Sequence, residues 1–380
     1  MGNRLKLTAL LLIVFVTIGK AQTGFQQTDS ISLSLYNSAE WQKLIIFGKD
    51  ALAKGDDFPL LRLRIGYASF VRGNFSDALV QYNKILETDQ FNQIALYYAY
   101  LCNVYLNRLE DAGFLAKRLE DKTVAGKKVN RFSLLSAGAE TGIKFTNIYE
   151  RGNSSYSRAF VDMRLGYGLS LSQSFTYFNQ PIHNDNIEQP GYYAKVNYTP
   201  FRKINIIGAY HYMRSNLRQL VYQNNVGLLG LRYADAGSDL QGDFILSQIG
   251  DEKTRQYNLK FTKYLTGNLN FYSISRLTLM DVLSNENLVF HQLIGFKPIR
   301  NLWFEEGVTF GNQYNYAEAD GQYIYNGFDK TKFKIVSNCY FLLKQHILLG
   351  LNYTFERKSD NIFKFNYLQH SINGGITWNF

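Results

Sequence analysis

Cysteine is nearly absent from this chain: Cys102 and Cys339 are the two it contains in 380 residues. Two thiols so far apart, in segments of different periodicity, make neither a disulfide framework nor a metal site, and both read as packing residues. Proline (5 residues) and methionine (4 residues) are scarce as well. Beyond the N-terminus no apolar run approaches the ~20 residues that a membrane-crossing helix needs. The chain also lacks a Gly-x-Ser-x-Gly elbow, a paired-histidine motif or a phosphate loop in a supporting context. These absences argue against an enzyme. No catalytic residue is assigned, no cofactor or metal is expected, and nucleic-acid binding has no support.

What the chain does have is aromatic side chains, 28 Tyr and 28 Phe, and a net charge of +10. Arg4 and Lys6 precede an apolar run from Leu7 to Ile18, and Gly19-Lys20-Ala21 supplies small residues for cleavage. That run is too short to span a bilayer but suits a secretory leader. Residues 1–21 are therefore read as a signal peptide, and the absence of a Cys after it argues against a lipoprotein.

From about Ser30 to Leu119 the apolar period is helical and repeats. Gly73, Phe75 and Ala78 recur as Asn107, Leu109 and Ala112, and earlier as Ala39, Trp41 and Leu44. Around the central copy, Ile65, Gly66, Gly73, Phe75, Ala78, Tyr82 and Ile85 resemble the tetratricopeptide repeat pattern of paired helices. The small residues Gly66 and Ala78 would let two helices approach closely. Residues 22–122 are assigned to this domain. A repeat surface of this kind either holds a protein partner or serves as a structural stub. Residues 123–131, with Lys127-Lys128-Val129-Asn130-Arg131, form a basic linker.

From Phe132 to the end, residues 132–380, the period is two. Tyr257, Leu259 and Phe261 alternate with polar residues, as do Ile347, Leu349, Leu351, Tyr353 and Phe355. Each segment runs about ten residues, the length that a tilted strand needs to cross a bilayer. Short connections fall at 166–168, 200–202, 234–237, 266–267, 298–300 and 344. Longer ones fall at 150–155, 179–191, 214–224, 250–254, 280–287, 312–330 and 357–363. Alternating short turns and long loops predict an antiparallel transmembrane barrel of about fourteen strands. Twelve remain possible if weak segments such as Asn285 to Lys297 are not strands. Both ends of such a barrel are periplasmic, which places the helical repeats in the periplasm.

The ending carries a further signal. Ile376, Trp378 and Phe380 share one face, and a terminal aromatic strand of this type looks like the insertion signal read by the barrel-assembly machinery of Gram-negative outer membranes. Taken whole, the mature chain resembles the YaiO family of outer-membrane barrels, several members of which carry tetratricopeptide-like repeats before the barrel. A looser likeness is to exopolysaccharide exporters, which join such repeats to a barrel. These resemblances imply an outer-membrane location among its lipids, a periplasmic protein partner and export or surface retention of a glycan.

Charged residues on the lipid face are costly, by ~2–4 kcal/mol for Lys or Arg at the midplane. Strand charges are therefore expected to point inward: Arg158, Arg164, Lys195, Lys203, Arg232, Lys260, Arg276, Lys332 and Lys334, with Asp162, Asp243, Glu305 and Glu356 as acidic partners. The excess of basic residues predicts a conduit for an anionic solute or glycan. Two other readings stay open: a sealed structural barrel in which these charges pair, and a rim hydrolase built on His183 and Asp185. Tyr314, Tyr316, Tyr323 and Tyr325, around Asp320-Gly321, are assigned to an external loop able to stack on sugars.

Overall fold

The computed structural model describes residues 25–380 except 125, 149–151, 183–184, 218–219, 283–284, 328, 345 and 361–364. The leader and His183 lie outside the described residues. Six helices come first: α1 over the described residues 25–37, then α2 (Trp41–Ala53), α3 (Pro59–Val71), α4 (Phe75–Thr88), α5 (Gln93–Tyr105) and α6 (Leu109–Ala116).

The repeat seen in the sequence has a backbone cause. Ala39, Gly73 and Asn107 adopt positive φ of 55°, 75° and 57°, each at the turn between two paired helices. At each turn the next amide reaches back to an equivalent carbonyl: Glu40 to Leu35, Asn74 to Ser69 and Arg108 to Asn103. This left-handed cap satisfies carbonyls that the ending helix leaves unpaired. Leu44, Ala78 and Ala112, at matching positions of the second helices, are all fully buried. Gly66 lets α3 and α4 approach, since a Cβ there would lie 2.9 Å from the Tyr82 ring.

The basic linker is more ordered than its composition suggests. Strands β1 (Thr123–Val124) and β2 (Lys127–Lys128) pair as a short ribbon. Val124 and Val129 enter the core of the helical domain, so apolar burial anchors the segment.

The remaining strands build a closed barrel. They are β3 (Ser133–Thr146), β4 (Ser154–Gly166), β5 (Leu169–Ile182), β6 (Asp185–Phe201), β7 (Ile204–Leu217), β8 (Leu220–Asp235) and β9 (Ser238–Ile249). Then follow β10 (Glu252–Tyr264), β11 (Phe271–Val282), β12 (Asn285–Ile299) and β13 (Leu302–Phe310). A small hairpin, β14 (Tyr316–Glu318) and β15 (Tyr323–Tyr325), precedes β16 (Asp329–Leu343), β17 (Ile347–Asp360) and β18 (Asn366–Asn379). Fourteen strands form the ring, all but the small hairpin, and β18 closes it on β3 with Ile372 opposite Ile143 and Trp378 opposite Ala137. Asn285 to Lys297 is a full strand, which settles the count at fourteen.

Alternation sorts the side chains as expected for a barrel in lipid. Phe175, Leu229, Leu246, Leu259, Leu277, Leu351 and Ile372 stand exposed on the outside. Ile376, Trp378 and Phe380 point outward with them, 49%, 47% and 61% exposed. A closed ring leaves no strand edge unpaired, the condition for a sheet to cross a bilayer.

Four connections expected to be long are short. β5 and β6 extend to Ile182 and from Asp185, β7 and β8 to Leu217 and from Leu220, β9 and β10 to Ile249 and from Glu252, and β11 and β12 to Val282 and from Asn285. The ladder continues past the apolar band because backbone hydrogen bonding needs no apolar side chains. Apolar alternation, by contrast, marks only the part of a strand that faces lipid. Among the described residues one long connection remains, between β13 and β16.

The helical domain docks on the short-turn end of the barrel, to one side. Asn83 accepts from Arg202 at the β6–β7 turn, 3.0 Å, and Gly73 accepts from Asn268 at the β10–β11 turn, 2.7 Å. Arg108 enters the β8–β9 turn, and Ser170 of β5 donates to Glu110 of α6 at 2.6 Å. These contacts cover the arc from β4 to β11.

Candidate functional site

The inside of the barrel is the candidate site, and what shapes it is the β13–β16 connection. Those residues were expected outside, yet the β14–β15 hairpin folds into the lumen. A ring of eight strands is filled by its own side chains, whereas wider rings leave open space. Here the hairpin occupies part of that space. Its tip, Ala319-Asp320-Gly321, has three successive positive φ values of 50°, 57° and 85°. Such a turn is costly for Ala and Asp and persists because the wall holds it.

The hold comes from three sides. Asp320 lies 3.2 Å from Lys195 of β6 and 3.7 Å from Lys260 of β10, and accepts from Gln241 of β9 at 3.0 Å. Tyr193 donates to the Asp320 carbonyl at 3.0 Å, and His211 Nδ1 lies 2.9 Å from the Gly321 carbonyl. Gln256 exchanges two hydrogen bonds with the Ala317 backbone, 2.8 and 3.0 Å. On a second side Glu318 pairs with Lys334 of β16 at 2.6 Å. On the third, the Tyr323 hydroxyl donates to Glu140 of β3 at 2.7 Å.

The hairpin acids are strongly charged as a result. Burial pushes the Glu318 carboxyl up, but Lys334 and Arg276 together reverse this and hold it at about 2. Burial opposes ionisation of Asp320 too, yet Lys260, Lys195 and Arg276 hold it well below the usual carboxylate range. Of the four tyrosines, Tyr316 is fully buried against Met280, Val282 and Val289. Tyr314, Tyr323 and Tyr325 line the lumen cavity, so this group is internal rather than an outer sugar platform.

The predicted lumen residues divide into two sets. Arg158, Lys260, Arg276, Lys334 and Glu356 line the cavity, and Lys195 is held against the hairpin tip. Arg158 pairs with Glu140 at 2.9 Å, while Glu356 accepts from Thr331 and Gln369 at 3.1 and 2.6 Å. Asp243 accepts from Gln241 and Asn258, Glu305 from Tyr272 and Asn338, and Asp162 from Ser136. The second set belongs to the short-turn end. Arg232 binds Asp111 of α6, Arg164 lies near Tyr100 of α5, and Lys203 lies on the β6–β7 turn, 3.1 Å from Asp235. Lys332 leaves the series altogether: a register shift between Thr331 and Phe333 puts it in a bulge, exposed.

The expected excess of positive charge is not retained. Among the described lining residues the bases are Lys144, Arg158, Lys260, Arg276, Lys334 and Lys358, and the acids are Glu140, Asp251, Glu252, Glu318, Asp329 and Glu356. The two sets balance. Glu318 and Asp320 escaped the sequence reading because they lie in a connection assigned outside; two acids in the one tyrosine-rich loop were the available signal.

The cavity that remains has a volume of about 950 Å³ and extends past the hairpin along β16–β18 and β3, from Lys358 to Thr377. This wall is uncharged at its centre. Asn352 donates to Asn338 at 2.6 Å, and Asn373 donates to Asn352 at 3.0 Å, forming an amide row across three strands. Thr354 and Ser371 face the lumen on one side of that row, Gly350 and Gly375 on the other, with the Tyr340 ring beside Gly350. Ser371 Oγ and Asn373 Oδ1 are buried without a hydrogen-bond partner among the described residues. The hairpin tip is anchored on β6, β9 and β10 and the helices cover the arc from β4 to β11, so the part of the cavity that reaches Thr377 lies off centre.

Solved structures with a similar fold include the monoaromatic hydrocarbon channel CymD, 8% identical, TM-score 0.48, covering 65% of this chain and 89% of that one. The toluene transporter TodX of Pseudomonas putida is 7% identical, TM-score 0.44, with 68% and 91% covered. Omp33, an outer membrane protein of Acinetobacter baumannii, is 7% identical, TM-score 0.41, with 65% and 99% covered. No protein-family model and no curated protein matches the chain. Six helices followed by a closed ring of fourteen antiparallel strands with an apolar exterior make this protein a transmembrane β-barrel preceded by a helical domain.

Proposed function

We propose that the barrel is a narrow, eccentric conduit for a hydroxyl-rich solute, a glycan chain above all, exported or held at the surface. The observation that carries this reading is the uncharged row Asn338–Asn352–Asn373, which faces the part of the lumen that the hairpin leaves free. Amides and hydroxyls along the wall suit sugar hydroxyls, and tyrosine rings suit sugar faces. A cavity of about 950 Å³ matches a binding site for one modest ligand, or a chain threaded lengthwise, better than a general diffusion pore. Balanced lining charges imply weak preference between anions and cations.

In this reading the short-turn end is periplasmic and the helices, as tetratricopeptide-like repeats of a YaiO-type protein, recruit a periplasmic partner. Their off-centre docking on the arc from β4 to β11 leaves the turn at 300–301 exposed. A second reading, a sealed barrel, draws support from the hairpin's many anchors.

Single-channel recording of the full chain in a planar bilayer separates them. Steady conductance, interrupted by added maltohexaose but not by polyethylene glycol of matched size, supports the glycan conduit. A silent bilayer with insertion verified supports the sealed barrel.

A further inference from the structure

On the outer face of the barrel a row of rings closes the apolar band at its loop end. The outward positions of β16 run from Leu343 through Phe341 and Ile335 to Phe333, a stretch of tilted strand that matches the ~25 Å height of such a band. At its upper limit Phe310, Phe333, Phe355, His370 and Phe145 follow one another across β13, β16, β17, β18 and β3. Their ring centres lie 5.3, 6.5, 5.3 and 5.4 Å apart in that order. Aromatic rows of this kind sit at the level of the lipid headgroups.

Three cations stand just beyond the row. Arg357 follows Phe355 on the outward register of β17 and is exposed. Lys332 is exposed because of the bulge after Thr331; regular pleating would have put it on the lumen side with Lys334. Lys330, opposite Ser359, continues the outward series. Among the described residues none of the three has an ion-pair partner. The acids nearest on these strands, Asp329, Glu356 and Asp360, are buried on the lumen side. The loop end of β10–β12 differs: there Lys253 and Arg255 share the outer face with Asp281 and Glu286, and Arg255 lies 4.0 Å from Asp281.

Unpaired cations at headgroup level complement anionic lipid, and a guanidinium binds phosphate oxygens through parallel N–H bonds. Three positive charges exceed what one phosphodiester neutralises and suit two phosphate monoesters. With the short turns periplasmic, as proposed, this end faces the outer leaflet. We infer that Lys330, Lys332 and Arg357 bind the headgroup of a bisphosphorylated glycolipid, its phosphates on the cations and its acyl chains along the Phe333 and Phe355 rings.

Lipid A, its dephosphorylated form and phosphatidylglycerol are the probes, each titrated into the full chain in neutral detergent and read by native mass spectrometry. Lipid A should be retained by the chain more tightly than either of the others. Replacing Lys332 and Arg357 together by Gln should weaken its retention by about tenfold or more, as the loss of two surface cations implies, while heat-modifiable gel mobility shows the barrel closed. Lys253→Gln with Arg255→Gln, in the charge-matched patch, should leave retention unchanged. The inference is overturned if the dephosphorylated lipid or phosphatidylglycerol binds the wild-type chain as tightly as lipid A, a comparison that needs no variant to fold. It is also overturned if the variant lacking Lys332 and Arg357 retains lipid A undiminished, or if the variant lacking Lys253 and Arg255 loses as much. Conductance is a separate readout, so the lipid site can fail while the conduit holds.

Discussion

Arg108, at the start of α6, places its guanidinium 3.0 Å from the carboxylate of Asp239 on β9. The side chain is 1% exposed, and it also donates to the backbone carbonyls of Asp235 and Ser238, at 2.6 and 3.2 Å. One buried cation thus bonds the helical domain to a barrel turn. Arg108→Met should leave Asp239 buried without its partner and weaken docking by about 3–5 kcal/mol. Limited proteolysis of the inserted protein is the check: the helices should become cleavable while the barrel stays resistant. Unchanged resistance would show that apolar contacts alone hold the two parts together.

Asp320→Asn should free the hairpin, since Lys195 and Lys260 would remain without their counter-charge. The expected result is a larger single-channel conductance with a reversal potential shifted towards anions. If both stay at the wild-type value, the hairpin does not define the constriction.

Replacing Lys195, Lys260 and Lys334 together by Met acts in the opposite sense. Glu318 and Asp320 lose their closest cations, the balanced lining becomes net negative, and selectivity should move towards cations. No movement would mean that these charges lie off the ion path.

The hairpin should also respond to acid. Glu318, which lies outside the spanning strands, has a carboxyl held at about 2, below its ordinary value of 4.5. A depressed carboxyl contributes its stabilisation in full above the ordinary value and loses it as the pH falls towards the depressed one. Docking should therefore be constant at pH 5 and above and fail between about 4.5 and 2. Conductance recorded against pH would show a step in that window. Glu318→Gln should abolish the step.

The helical turns offer a test without charge. Ala39 has φ of 55°, a conformation that costs a residue with a Cβ roughly 1–2 kcal/mol and that glycine adopts freely. Ala39→Gly should stabilise the helical domain by about 1 kcal/mol, read as a raised melting temperature of the helical signal. A lowered one would show that the methyl packs usefully.

Much of the architecture was legible in the residues themselves. Period two from Phe132 onward, with turns such as 166–168 and 234–237, determined an antiparallel barrel of twelve or fourteen strands and which way most side chains point, because pleating forces alternation whatever the surroundings. The thirty-four-residue echo of Ala39, Gly73 and Asn107 determined the paired helices, because a left-handed cap makes a local demand on the chain. The course of the β13–β16 connection was not local. Tyr316, Glu318 and Asp320 read as an ordinary polar loop until Lys195, Lys260 and Lys334, distant in sequence, are brought around them by closure of the ring. Charge balance in the lumen, and the off-centre cavity beside Asn352, follow from that closure. Hydrogen bonds and ion pairs between remote segments depend on three-dimensional placement, so only the tertiary structure could decide them.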